Sequence, residues 1–175
     1  MLGMTIEVRV ARPDEYEEVG RLTAAGYRAD DLLSRADGAE DHYEAVLLDA
    51  ARRAGEAHVL VAADDGVLLG TVTWSPPGSP WRELARGPKQ GEFRMLAVAP
   101  AGRRRGAGRA LALECLRRAT TAGMREVLIS SLPQMTKAHG LYASLGFARD
   151  PSLDHSPVPG VHLWGFRLRL APATT

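Results

Sequence analysis

The sequence predicts an α/β protein: a mixed, mostly antiparallel sheet of about seven strands flanked by four helices. Three observations carry this. Short apolar runs alternate residue by residue, as strands do. Two longer segments place apolar residues three and four apart, as helices do. The two kinds of segment interleave along the chain, which is the pattern of a sheet covered by helices rather than of separate layers.

Taken in order, residues 5–11 (TIEVRVA) alternate Ile6, Val8 and Val10 on one face and read as a strand. Pro13-Asp14 punctuates it, and Asp14 is placed to cap a helix that turns Val19 and Leu22 inward. Residues 27–38 (YRADDLLSRADG) read as a loop or broken helix. From about Ala39 to Ala54 the apolar positions Tyr43, Val46, Leu47, Ala50, Ala51 and Ala54 form one helical stripe. Residues 57–63 and 67–74 flank Asp64-Asp65-Gly66 and predict a hairpin, because Asp-Gly accepts the positive φ of a tight turn. The proline-rich residues 75–91 read as a long loop. Residues 92–100 (EFRMLAVAP) are a strand stopped by Pro100, and Leu111, Ala112, Cys115, Leu116 and Ala119 stripe the helix that follows. A strand at 125–131, a helix at about 136–145 ended by Gly146, a short strand from Phe147 and a closing strand at 161–170 complete the chain.

With 175 residues the chain suits one domain spanning 1–175 and a single core. Its net charge of +1 opposes a nucleic-acid partner, since such proteins carry a marked basic excess. The lone Cys115 excludes an internal disulfide and fits a reducing cytoplasm. No run approaches the roughly 18 apolar residues of a membrane-spanning helix, and residues 1–10 lack the pattern of a secretory signal. Ala, Arg and Gly richness fits a GC-rich bacterial genome. His42, His58, His139, His155 and His162 have no metal-ligand spacing, so no metal is expected.

The chemistry concentrates in residues 103–110 (RRRGAGRA), between the Pro-stopped strand and a helix start. First-turn amides lack internal partners and the helix dipole favours anions. Glycines let a phosphate approach the backbone, and arginines add charge-assisted bonds. Read alone, the stretch is either a pyrophosphate cradle or a solvated basic turn. It is not a P-loop, which needs Lys-Ser/Thr, and the dinucleotide fingerprint would need glycine where Leu111 stands.

Arg103-Arg104-Arg105-Gly106-Ala107-Gly108 after MLAVAP resembles the R-x-x-G-x-G acetyl-CoA motif of the GCN5-related N-acetyltransferase (GNAT) superfamily. AHGLYASLGF (138–147) is similar to the family's A-x-x-L-Y-x-x-x-G-F segment, and the spacing and element order also match. The resemblance covers nearly the whole chain. It implies a sheet splayed between strands four and five, and acetyl-CoA as co-substrate. Its pantetheine arm would bond to the backbone of Leu96, Ala97 and Val98. Its pyrophosphate would meet the amides from Arg104 through Arg105, Gly106, Ala107 and Gly108 to Arg109, with the Arg103 side chain nearby.

By the same resemblance, Tyr142 matches the family tyrosine beside the thioester sulfur, where a phenol can protonate a departing thiolate. Glu92 stands where the histone acetyltransferase branch has its glutamate base. Strand alternation puts it on one face with Arg94, Leu96 and Val98, and it acts directly, through water, or only as a strand-end carboxylate. One departure is Met135, where many relatives carry an asparagine that contacts the cofactor.

The implied reaction is direct transfer of acetyl to a primary amine of a small molecule or peptide. A noncatalytic acyl-CoA sensor on the same fold is the alternative. Acceptor contacts are expected from Tyr27, Asp30, Asp31, Trp74 and Trp81, and from Asp154 and His155 in the 150–160 loop. Dimers are common among similar proteins, and a homodimer is one state the chain admits.

Overall fold

A computed structural model describes residues 5–33 and 40–172. Seven strands follow one hydrogen-bonded order, β1-β2-β3-β4-β5-β7-β6. They are β1 (Glu7–Val10), β2 (His58–Asp64), β3 (Val67–Trp74), β4 (Gln90–Val98), β5 (Glu126–Ser131), β6 (Ala148–Arg149) and β7 (Trp164–Arg169). The described helices are α1 (Tyr16–Ala29), α2 (Glu40–Leu48), α3 (Ala50–Glu56), α4 (Ala107–Thr121) and α5 (Thr136–Ser144). The chain divides into two compact units, one of residues 1–74 with 95–114 and one of 75–94 with 115–175.

In the first unit, β1 pairs antiparallel with β2 and β2 with β3. Asp65 and Gly66 take φ of 48° and 78°, the positive values for which the Asp-Gly pair was expected to serve. Ala11, Val19, Ala50, Val59, Val61, Ala63 and Leu68 form a core cluster beneath this hairpin. The turn before α1 is capped by Glu15 rather than Asp14: its carboxylate accepts from the Arg12 amide at 2.8 Å and from both Arg9 Nη atoms at 2.8 and 2.6 Å. Those bonds, the Arg9 pair foremost, hold the Glu15 carboxyl down at about 2.

Four helices were expected and five are present among the described residues, because the segment from 39 to 54 breaks into α2 and α3. Asp49 ends the first and caps the second, accepting from the Arg52 amide at 3.0 Å. The buried Arg53 then donates to the Val46 and Leu47 carbonyls at 2.7 and 2.9 Å, satisfying the end of α2. The break also lets α1 approach closely: a Cβ on Gly20 would lie 2.0 Å from the Leu48 carbonyl oxygen. Of the segment expected as a loop at 27–38, residues 34–38 lie outside the described residues.

In the second unit, β5 pairs antiparallel with β7, and β7 with β6. The parallel β4–β5 ladder runs only from Gln90↔Glu126 to Glu92↔Leu128. Beyond Glu92, β4 continues to Val98 with no β5 partner. Phe93, Tyr142, Phe147 and Phe166 pack their rings together, with centroids 5.8 to 6.2 Å apart. The closing strand is shorter than expected, starting at Trp164, and a single His155↔Leu163 bridge precedes it.

Candidate active site

The arginine-glycine stretch sits where a strand hands over to a helix. β4 ends at Val98, a 3₁₀ turn spans Pro100–Gly102, and α4 begins at Ala107. Between them Arg104 and Gly106 take φ of 60° and 81°. Those two left-handed residues fold the turn back on itself, so that its amides precede the first helical bond, from the Ala110 amide to the Gly106 carbonyl at 2.9 Å. The amides of Gly106, Ala107 and Gly108 therefore stand at the positive end of a fifteen-residue helix. A Cβ built on Gly106 meets nothing within 4 Å, so the turn is open on that side. Arg103 and Arg104 are exposed. Arg105 is different: it is half-buried and ion-paired with Asp64. The sequence reading placed Arg103 by its side chain and Arg104 and Arg105 by their amides, with no partner foreseen for the Arg105 side chain.

It also passed over Gly102, whose packing is the tightest in this segment. A Cβ there would lie 2.4 Å from the Leu69 carbonyl oxygen, so the turn rests directly on β3. Leu96, Ala97 and Val98 occupy the end of β4, with Ala97 buried and its neighbours half-buried. Just before them Met95 takes φ of 55°, a left-handed conformation inside the strand, while burial still alternates from Arg94 to Val98. Glu92 is buried, at 1% exposure, between the buried Gly91 and Phe93, whereas Arg94, Leu96 and Val98 are half-buried.

The environment of Glu92 defines what that carboxylate does. Its Oε1 accepts from the Glu83 amide at 3.0 Å, and its Oε2 from the Leu84 and Ala85 amides at 2.9 and 2.8 Å. Three backbone donors converge on one buried anion, which fixes the 83–85 segment against β4. Arg82 completes the anchoring by donating to the carbonyls of Ser75, Gly87 and Gln90 at 3.1, 3.0 and 2.7 Å. The loop expected over 75–91 is thus tied by two ionic side chains: Arg82, which the sequence did not single out, and Glu92, singled out there as a candidate base and not as a loop anchor.

Tyr142 lies on α5 at 4% exposure, against Phe93, Phe147 and Phe166. Burial, and secondarily Cys115, raises its pKa, so the phenol holds its proton. One turn earlier on α5, His139 Nε2 lies 3.0 Å from the Ser131 hydroxyl, and desolvation lowers the imidazole pKa. Cys115 is fully buried on α4, as its place on the apolar stripe predicts.

The expected acceptor residues do not all present polar groups. Tyr27 is buried and meets Tyr43 edge-on at 5.8 Å, and Trp74 is buried at the end of β3. Asp30 and Asp31 are exposed just after α1, with Asp31 at φ of 55°. Trp81 is buried beside Arg94, whose guanidinium lies 5.9 Å from its ring. Arg94 also pairs with Glu83 at 2.8 Å, and His155 Nε2 reaches the other Glu83 oxygen at 3.2 Å. Asp154 is held by Arg149 and the Gly165 amide. Among the described residues no cluster of three or more His, Cys, Asp or Glu could hold a metal ion. No described helix is long and apolar enough to cross a membrane.

The sequence profile of the Acetyltransferase (GNAT) family matches residues 25–147, from the end of α1 through the turn and Tyr142 to Phe147. The chain belongs to the GNAT acetyltransferase family. No curated protein matches it. Solved structures share its fold at low identity. The PaiA N-acetyltransferase of Thermoplasma acidophilum, in complex with coenzyme A, is 15% identical with a TM-score of 0.72, over 95% of this chain and 100% of that one. A GNAT family acetyltransferase of Brucella melitensis, in complex with acetyl-CoA, is 23% identical with a TM-score of 0.60, over 98% of this chain and 92% of that one. The GNAT family acetyltransferase of Streptococcus pneumoniae is 18% identical with a TM-score of 0.65, over 95% and 100%.

Within the GNAT chain, Met135 stands immediately before α5 as its N-cap, without a side-chain capping bond, and its sulfur accepts from the Ser131 hydroxyl at 3.5 Å. Its hydrogen-bonding partner is thus inside the protein.

Proposed function

We propose that the chain is an acetyl-CoA-dependent N-acetyltransferase, acting as one catalytic domain in the cytoplasm on a primary amine of a small molecule or peptide. The observation that carries this is the turn at Arg104–Gly108: two left-handed residues, a helix start behind them, and open space where a Gly106 side chain would stand. That is a cradle for a diphosphate. The coenzyme A and acetyl-CoA held by the Thermoplasma and Brucella relatives support the same ligand here.

The bound thioester supplies an electrophilic acetyl carbon and a thiolate leaving group. Everything else falls to the protein. The amides of Gly106–Gly108 and the exposed Arg103 and Arg104 hold the diphosphate. The β4 backbone at Leu96–Val98, past the end of the β5 ladder, aligns the pantetheine arm as an added strand. Tyr142, protonated at neutral pH like any phenol, gives that proton to the sulfur as the C–S bond breaks and the new N–C bond forms. The amine proton leaves through water. Glu92, with three amides on its oxygens, anchors the adjoining loop rather than reaching the amine itself.

Calorimetric titration of the full chain with acetyl-CoA, followed by thiol release across a panel of amines and peptides, tests this. Micromolar binding with amine-dependent thiol release is expected. Absence of binding overturns the reading, and binding without turnover on any amine makes the protein an acyl-CoA sensor instead.

A further inference from the structure

The proposed phosphate turn is seated on the β2–β3 hairpin by contacts of three kinds, all within the first unit. The Ala99 amide donates to the Leu69 carbonyl at 2.9 Å. Gly102 packs on the same Leu69 with no room for a side chain. Arg105 then reaches across: one guanidinium nitrogen faces the Ala101 carbonyl at 3.5 Å, and another pairs with the Asp64 carboxylate at the end of β2. Asp64 and Arg105 are 41 residues apart in the chain and both are about three-quarters buried.

The position of this pair is informative because the residue beside Arg105 is strained. Arg104 takes φ of 60°, and a non-glycine residue stays in that region only where its surroundings over-determine it. Gly102 braces the turn on one side of Arg104 and the Arg105–Asp64 pair braces it on the other. Release of that pair leaves the 103–106 segment free to relax, and the amides of Gly106–Gly108 lose their common aim. The pair also determines how charge is used. The Arg105 charge is committed to Asp64, so Arg103 and Arg104 are the exposed arginines of the turn.

We propose that Asp64 is a positioning residue for acetyl-CoA: by engaging Arg105 it pre-organises the 103–108 turn, and Arg105 acts as a strut rather than as a phosphate ligand. The inference rests on the turn being the diphosphate site. It assigns a role in cofactor affinity to a hairpin residue outside the motif.

Asp64→Asn supplies a test by sign. The variant keeps the shape of the side chain and frees the Arg105 charge. A phosphate-binding Arg105 would then hold acetyl-CoA more tightly, whereas a strut that has lost its anchor weakens it. The expected result by calorimetry on the full chain is a Kd for acetyl-CoA raised about five- to tenfold, the scale of one charge-assisted bond weakened to a neutral one. KM for acetyl-CoA rises in parallel, and kcat at saturating acetyl-CoA is unchanged. Asp64→Glu restores most of the affinity, and Asp64→Asn adds little to Arg105→Ala in the double variant because the two residues act as one unit. Tighter or unchanged binding in Asp64→Asn overturns the proposal, as does full additivity. Gly106→Val serves as the control. If it abolishes binding while Asp64→Asn is silent, only the strut fails; if Gly106→Val binds normally, the diphosphate site itself is misplaced.

Discussion

Gly106→Ala separates backbone conformation from packing at the proposed cofactor turn. Gly106 sits at φ of 81°, where an L-residue is disfavoured by about 1–2 kcal/mol. An added methyl meets no protein atom within 4 Å, so no steric term adds to that cost. For a chain of this size the conformational cost alone lowers Tm by roughly 2–8 °C. The open side of the turn is also where the diphosphate approaches, so the methyl enters the ligand's place and the turn relaxes away from its aim. Affinity for acetyl-CoA should therefore fall by more than about tenfold, beyond what the modest stability loss accounts for. Calorimetry at a temperature well below the variant's melting point measures this on folded protein. A variant that melts within this range yet binds acetyl-CoA like the parent would refute the reasoning. The contrast with Gly108 is instructive: its motif position is equivalent on paper, but Gly106 is the one of the two in the left-handed region.

Three further outcomes follow from the geometry. Tyr142→Phe, which removes one buried hydroxyl and keeps the ring packing on Phe93, Phe147 and Phe166, should lower kcat by about 10²- to 10⁴-fold while acetyl-CoA affinity is retained; unchanged turnover would exclude Tyr142 as the acid. Glu92→Gln opposes an amide NH₂ to backbone donors that now meet a carboxylate, and should cost about 1–3 kcal/mol in chemical unfolding and raise KM for the amine; wild-type stability would show that the three bonds are dispensable. Glu15 titrates at about 2 instead of 4.5, so its bonds to Arg9 and Arg12 stabilise the fold fully above pH 4.5 and are lost as pH falls toward 2. Urea melts at pH 7 and pH 3 should show Glu15→Gln losing more stability relative to wild type at pH 7 than at pH 3; an equal loss at both would assign the effect to packing.

What could be read from the chain and what could not divide along sequence distance. The hairpin at Asp64-Asp65-Gly66 and the glycine at 106 are local: each depends on residues whose φ preferences are intrinsic, and Asp65, Gly66 and Gly106 take the positive φ such residues allow, whereas Arg104 takes it against its preference. The same holds for the interleaved order of strands and helices, since period-2 and period-3.6 patterns are properties of short windows. The single helix expected from 39 to 54 failed for the opposite reason. Its apolar stripe runs on through Asp49, but the buried Arg53 and the close approach of Gly20 to Leu48 make a break there more favourable than continuation.

The functional side chains show the same division. That residue 142 is a tyrosine able to carry a proton was plain from its motif; that burial raises its pKa required the surrounding rings. That residue 92 is a carboxylate was equally plain, but its role follows from the amides of residues 83–85, brought to it by a loop whose sequence is merely proline-rich. Asp64 and Arg105 belong to elements separated by 41 residues, and nothing near either one announces the other. Local sequence determines the torsions that residues favour intrinsically and which chemical groups the protein owns, because those depend on covalent neighbours. Which groups are desolvated, neutralised or aimed depends on what folding brings beside them, and in this acetyltransferase-family chain that is how one carboxylate became a loop anchor and one motif arginine a strut.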